Sequence, residues 1–182
     1  MDLNKLLVNS KKILNTNENT DSGEELHEGK VVQLVSFMLD DVEYGVDILS
    51  VHEILRFPEM TRLPNTPPFI KGVINLRGNV IPVVDMRIRF GFTEGDITDL
   101  TRIIVVETDG KQVGILVDNV YQVVRLPVAS IDPPSDLITG ISEDFISGIG
   151  RLRDRLIVLL NMTQIIFLED NEEEKSSSVL NN

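Results

Sequence analysis

The chain of 182 residues contains no cysteine and only two histidines, His27 and His52. Without cysteine it can form no disulfide, no thiolate metal site and no cysteine nucleophile. Two histidines are too few for a metal centre built from several imidazoles. These absences exclude disulfide-stabilised folds, zinc–thiolate proteins and cysteine hydrolases.

Long apolar runs and excess positive charge are also missing. The longest strongly apolar run is 156–160, far short of the roughly 18 residues that span a bilayer. No apolar stretch of a signal peptide follows Met1, so we expect a cytoplasmic protein that does not insert into a membrane. The 17 basic and 29 acidic residues give a net charge of −12, which argues against nucleic acid and anionic membrane surfaces as partners.

Motifs of catalytic and nucleotide-binding sites are absent from the sequence. It has no Walker loop, no G-x-G-x-x-G and no G-x-S-x-G. Four clustered acids lack the central glycine and distal glutamate of a calcium loop, and we interpret them as solvated hairpin residues: Asp40, Asp41, Glu43 and Asp47. We therefore expect no catalytic residue, no cofactor and no metal. The alternating Arg151, Arg153 and Arg155 leave one rival, an anion-binding enzyme that uses an arginine-lined strand face.

Charge divides the chain into three segments. Residues 1–30 carry −2, residues 31–168 carry −6, and residues 169–182 carry −4. The first segment is polar and predicted to be disordered, although leucines at helical spacing, Leu3 and Leu7 among them, allow a short helix there. The last segment is a predicted disordered acidic tail. The globular unit is expected to be 31–168.

The globular segment contains an internal duplication. The stretch 35–46 parallels 104–115 with Gly45 matched to Gly114, and the next matches are Val51 with Val120 and Ile54 with Val123. A second block is repeated as well, and the two blocks follow in the same order in both halves. Residues 69–81 match 145–157, and Arg77 matches Arg153. Two related subdomains are predicted.

Each repeat shows the signs of short antiparallel strands. Asp109-Gly110 is a strong type I′ hairpin signal, Asp40-Asp41 occupies the same place, and Gly78-Asn79 is predicted as the turn of a second hairpin. Repeated prolines rule out long helices between the strands, and 161–167 is predicted as a closing helical turn. Short strands, regular turns and duplication favour an all-β fold of paired small barrels.

Three residues are candidates for protein contacts. Val51 and Glu53 share one face if their segment is a strand, whereas helical spacing would point them apart. Arg77 lies beside the predicted turn, where a guanidinium is well placed to bind carboxylates of another protein. An uninvolved surface arginine is the alternative at this position.

Specific strings of the sequence resemble the CheW family of chemotaxis coupling proteins. The resemblance rests on EYGVDI at 43–48, VHEI at 51–54, NTPPFIKGVINLRGNVIPVVD at 65–85, VGILVD at 113–118 and ISGI at 146–149. It covers residues 31–168. It implies two intertwined five-stranded barrels of the SH3-like kind with short helical turns, forming a scaffold without catalysis.

The resemblance also implies partners. CheW proteins couple methyl-accepting chemoreceptors to the histidine kinase CheA, whose regulatory domain is itself CheW-like, and they also assemble with other CheW copies in rings. The receptor-binding residues would be Val51, Glu53 and Arg77, whereas Gly72 would serve backbone geometry and the kinase-binding residues are not assigned. The location would be the receptor arrays at the inner face of the membrane. A parallel pathway, such as one for twitching motility, and a purely structural ring component remain open.

Overall fold

The structure is a computed structural model that describes residues 3–16, 29–134 and 141–167. Short strands account for far more of the described residues than helices do, as expected for an all-β protein with short helical turns. In chain order they are α1 (Leu3–Thr16), β1 (Val31–Leu39), β2 (Val42–Asp47), β3 (Val51–Arg56), β4 (Ile70–Leu76), β5 (Asn79–Asp85), α2 (Met86–Arg89), β6 (Arg102–Thr108), β7 (Lys111–Val117), β8 (Asn119–Pro127), β9 (Ile131–Asp132), β10 (Ile146–Leu152), β11 (Arg155–Leu160) and α3 (Met162–Phe167). Helix α3 is the predicted closing turn.

The hairpins turn on residues with positive φ. Asp109 and Gly110 have φ of +50° and +72°, which confirms the predicted type I′ turn, and Asp40 at +55° occupies the equivalent place. The β4–β5 turn consists of Arg77 and Gly78, with φ of +51° and +88°, so the prediction of Gly78-Asn79 is wrong by one residue. Arg77 is thereby held at the tip of the hairpin in a conformation that few non-glycine residues adopt.

The two sheets are built by an exchange of hairpins between the repeats. The six-stranded sheet has the order β8-β1-β2-β11-β10-β9, and the five-stranded sheet has the order β3-β6-β7-β5-β4. The first-repeat hairpin β1–β2 therefore joins strands of the second repeat, and the second-repeat hairpin β6–β7 joins strands of the first. This exchange is the intertwining that was predicted. The sixth strand is the two-residue β9, which pairs only with β10 among the described residues.

Each sheet encloses a small core, and a larger core lies between the two sheets. Strand β6 shows the division, because Ile103 and Val105 belong to the core of their own sheet while Ile104 and Val106 belong to the shared core. All four side chains are fully buried. Burial on both faces explains why β6 reads as a continuous apolar run. The predicted all-β fold with two subdomains is confirmed.

Helix α1 is the short helix that the leucine spacing allowed in the polar N-terminal segment, so residues 3–16 are ordered. Leu7 is 3% exposed and belongs to the shared core, and Leu3 packs against the same core. Burying leucine in that core favours the folded helix by about 1.5–3 kcal/mol, which offsets the cost of ordering a short helix. Residues 15–30 were predicted to be a linker, and 17–28 of them lie outside the described residues, as does the predicted acidic tail over 169–182.

Tyr44 is buried in an aromatic cluster of the shared core. Its ring stacks on Phe37 at 6.1 Å and tilts against Phe90 at 5.5 Å between centroids. Burial raises the pKa of Tyr44 to about 12, and the Asp40 carboxylate adds to the shift. The folded state therefore holds the phenol proton more tightly than the unfolded chain, whose tyrosine pKa is about 10.

This shift predicts a loss of stability at alkaline pH. The contribution of Tyr44 is fully present below about pH 10 and disappears as pH rises to about 12, since the unfolded chain then ionises first. Urea midpoints measured from pH 8 to 12 should fall more steeply for the wild-type chain than for Tyr44→Phe. Equal slopes would contradict the assignment to Tyr44.

Candidate protein-interaction site

An ion pair joins the two edges of the five-stranded sheet. Glu53 lies on edge strand β3, and Arg77 follows β4, the strand at the opposite edge. Arg77 Nη1 donates to Glu53 Oε1 at 3.0 Å, and Arg77 Nη2 donates to Glu53 Oε2 at 3.3 Å. This parallel two-bond geometry is the strongest arrangement for an arginine and a carboxylate. It brings Glu53 and Arg77 together where the curled sheet almost closes.

The pair is asymmetric in its exposure. The Glu53 side chain is 13% exposed, whereas the Arg77 side chain is 72% exposed. Asn75 accepts a hydrogen bond from the Gly78 amide at 2.9 Å and so helps to hold the turn that carries the arginine. Glu53 occupies two of the five guanidinium N–H groups, and the exposed remainder faces outward. Arg77 can therefore bind a carboxylate or a carbonyl of another protein without breaking its contact with Glu53.

Val51 does not lie on the same face as Glu53. A β-bulge interrupts the pairing of β3 with β6, because Val51 pairs with Val106 and Glu53 pairs with the adjacent Val105. The extra residue, His52, reverses the alternation of side chains that the sequence interpretation assumed. Val51 is fully buried in the shared core, so the prediction that it shares a contact face with Glu53 is wrong.

Gly72 serves backbone geometry, as its position before the motif predicted. Its φ is +156°, and a Cβ there would lie 2.5 Å from the backbone oxygen of Thr61. Thr61 exchanges backbone hydrogen bonds with Val73, at 3.0 Å and 2.8 Å. Only glycine allows this close approach of the 57–69 connection to strand β4.

The duplication places a second, altered copy of this site on the six-stranded sheet. Arg153 sits in the β10–β11 turn with φ of +52°, and β8 has its own bulge at Tyr121, the counterpart of His52. Gln122 replaces Glu53 at the equivalent position, so the second site lacks the carboxylate. The repeat register, which matches Gly45 to Gly114, also matches Glu53 to Gln122 and is the signal in the sequence from which this difference could have been predicted.

The arginine-lined strand face considered for Arg151, Arg153 and Arg155 is not formed. Arg153 lies in a turn rather than in a strand, because β10 ends at Leu152. Arg151 pairs with Asp132 through contacts of 3.0–3.1 Å, and Arg155 lies 3.4 Å from Glu43 and 5.2 Å from the Tyr121 ring centroid. The three guanidiniums therefore do not line one strand face, which is the arrangement that the rival hypothesis of an anion-binding enzyme required.

The described part of the chain holds no cluster of three or more histidine, aspartate or glutamate side chains arranged to bind a metal ion. The charged groups pair with one another instead. Arg87 forms two hydrogen bonds with Asp118, at 2.8 Å and 2.6 Å, and the bonded carboxylate raises the pKa of this arginine. Lys71 contacts Asp85 and Glu94, and its hydrogen bond lowers the pKa of the exposed Glu94 carboxyl.

Fold and site together define a double-barrel module whose most distinctive surface feature is an arginine–glutamate pair at a hairpin tip. The family model described as "CheW-like domain" matches residues 33–169. The chain belongs to the CheW-like domain family.

Named relatives share most of the chain. It is 35% identical to the chemotaxis protein CheW of Klebsiella aerogenes over 138 residues, which are 76% of this chain and 83% of that protein. It is 33% identical to the chemotaxis protein CheW of Helicobacter pylori, with coverage of 75% and 82%. The crystal structure of the scaffolding protein TtCheW from Thermoanaerobacter tengcongensis is similar with a TM-score of 0.70 and 36% identity, covering 79% of this chain and 93% of that one.

Proposed function

We propose that this protein is a non-catalytic adaptor that couples methyl-accepting chemoreceptors to the histidine kinase CheA. The observation that carries the proposal is the match of the whole double barrel, residues 33–169, to the CheW-like family. This chain aligns with more than four-fifths of the length of relatives named as chemotaxis proteins, which supports a shared role.

Receptor binding is assigned to the Glu53–Arg77 pair. The geometry supports this because Arg77 is exposed at a hairpin tip and is held by two hydrogen bonds to a largely buried carboxylate. A pre-positioned guanidinium loses less side-chain entropy on binding than a mobile one. Val51 acts through strand β3, since its buried side chain fixes the position of the segment that carries Glu53.

We assign kinase binding to the barrels of 31–168 and name no residues for it. Packing against further copies of the protein in rings is assigned to the same barrels. Exposed apolar residues away from the ion pair support this, among them Tyr121 and Leu156, which are more than half exposed.

In the part of the chain that the structure describes, none of the helices has the length and apolar character needed to span a membrane. We place the protein in the cytoplasm, at receptor arrays on the inner face of the membrane.

A second pathway is the alternative. The chain is 40% identical to the protein FrzA of Myxococcus xanthus over 98 residues, 54% of this chain and 61% of that protein. This similarity to a relative with a different name favours testing a parallel chemosensory pathway beside the flagellar one. The adaptor chemistry would be the same, and the receptor and kinase supplied in the assay would differ.

Reconstitution tests the proposed function. Kinase autophosphorylation is measured with CheA and a receptor signalling fragment, with and without this protein. Activation that requires all three components is expected, together with recovery of the ternary complex on an affinity resin. Binding to neither component would refute the adaptor role, and assembly without activation would favour the structural ring component.

A further inference from the structure

The outer edge of strand β3 is covered by helix α1. Strand β3 pairs with β6 on one side only among the described residues, so its other side presents backbone groups that need partners. Asn4 supplies two of them: its amide nitrogen donates to the Ile54 carbonyl, and its amide oxygen accepts from the Ile54 N–H, both at 3.0 Å. The Lys11 ammonium donates to the Val51 carbonyl. The side chains of α1 thus take the place of a neighbouring strand.

The two anchors match the repeat distances of helix and strand. Asn4 and Lys11 are seven residues apart, or about 10 Å along a helix. Ile54 and Val51 are three residues apart, which is about 10 Å in a regular strand and somewhat less here because the bulge at His52 lies between them. Helix α1 therefore runs antiparallel to β3, and its contacts bracket Glu53. It also packs against β8, so it lies where the two sheets meet.

Leucine side chains add apolar contacts to these hydrogen bonds. Leu7 reaches the shared core and Leu3 packs beside it, whereas Val8 is 66% exposed. A helix of 14 residues is marginal in water without tertiary support, so release from β3 and loss of helical structure go together. A ligand that needs the β3 edge must displace these contacts.

We propose that α1 is an autoinhibitory element that occupies the β3 edge beside the Glu53–Arg77 pair and must leave when a receptor segment binds there. The proposal rests on the proposed function, because it takes that pair as the receptor site. Occupation of the edge lowers the fraction of molecules that are ready to bind, and the apparent affinity falls by the same fraction. Receptor binding and α1 docking therefore oppose each other.

Two variants of the full chain test the proposal with opposite expected signs. Leu7→Asp places a carboxylate in the shared core and releases α1, and receptor affinity should rise about 3- to 10-fold. Val8→Ala with Asn9→Ala changes two exposed positions to a better helix former, and receptor affinity should fall about 2- to 3-fold. Affinities are measured by titration with a receptor signalling fragment. Lys5→Gln, an exposed change on the same helix, is the control.

A second measurement covers the case in which Leu7→Asp unfolds more than α1. Hydrogen exchange of the wild-type chain is followed over residues 3–16 with and without receptor. Faster exchange of α1 in the complex is expected, and unchanged or slower exchange would overturn the proposal. Unchanged receptor affinity in both α1 variants would overturn it as well.

Arg77→Glu separates this proposal from the proposed function. If Arg77→Glu weakens receptor binding while the α1 variants change nothing, the receptor site stands and the autoinhibitory role is refuted. If Arg77→Glu also leaves receptor binding unchanged, the site assignment has failed, and the exchange of α1 alone then decides whether the helix is displaced.

Discussion

Arg77→Glu should lower receptor affinity by about 30-fold or more and leave the fold intact. The substitution removes the exposed guanidinium and sets a second carboxylate against Glu53, so a partner carboxylate meets repulsion instead of a charge-assisted hydrogen bond. Loss of one partner of a charge pair that is buried and hydrogen-bonded in the interface typically costs about 2–5 kcal/mol, and each 1.4 kcal/mol is tenfold. An exposed ion pair contributes only about 0.2–1 kcal/mol to folding, so thermal unfolding should move by a few degrees.

The duplication offers a matched control for this experiment. Arg153 occupies the equivalent turn with nearly the same φ, +52° against +51°, on the other sheet. Arg153→Glu should reproduce any effect on fold stability that charge reversal in such a turn has. Its receptor affinity should stay within about twofold of the wild-type value. A double exchange, Glu53→Arg with Arg77→Glu, restores the internal pair with reversed polarity. Recovery of receptor binding by the double exchange would show that the pair acts only within the fold and would contradict a direct contact.

Gly72→Ala should destabilise the fold by about 3 kcal/mol. The added Cβ would lie 2.5 Å from the Thr61 backbone oxygen and 2.9 Å from Met60, and the alanine would also adopt a φ of +156°. Either the 57–69 connection moves away from β4 or the strand itself shifts. Urea unfolding should show the loss as a lower midpoint with an unchanged slope.

Gly91→Ala distinguishes the clash from backbone strain alone. Gly91 has φ of +79°, and a Cβ there would meet nothing within 4 Å. Its replacement should cost about 1 kcal/mol, the price of a left-handed conformation for an L-residue. Equal losses for the two variants would show that the close approach of Thr61 contributes nothing.

The strands, turns and duplication of this fold follow from local patterns in the sequence. Asp109-Gly110 predicted its hairpin correctly because the turn type depends only on residues that accept positive φ. The pairing of β1–β2 with strands of the other repeat could not be derived from those patterns. Hairpins of similar composition fit either barrel equally well, and the choice between them is made by tertiary packing.

Two errors at the site have local physical causes. The Gly78-Asn79 prediction favoured the residue types that tolerate positive φ, but the pairing of Leu76 with Asn79 leaves Arg77 in the turn. The predicted common face of Val51 and Glu53 assumed strict alternation, and the bulge at His52 breaks it. Bulges carry no clear sequence signal here, although one at Tyr121 recurs in the second repeat.

The exchange of hairpins has a consequence for the origin of the chain. The first repeat standing alone would have three strands that lack a hairpin, the second would have three and the two-residue β9, and each would have a hairpin that lacks a barrel. Two identical copies would satisfy each other by reciprocal swapping around a two-fold axis, which describes a homodimer with the same pair of barrels. The connection between Arg89 and Arg102 then fuses that dimer into one polypeptide. A chain severed in this connection should yield two fragments that refold only in each other's presence.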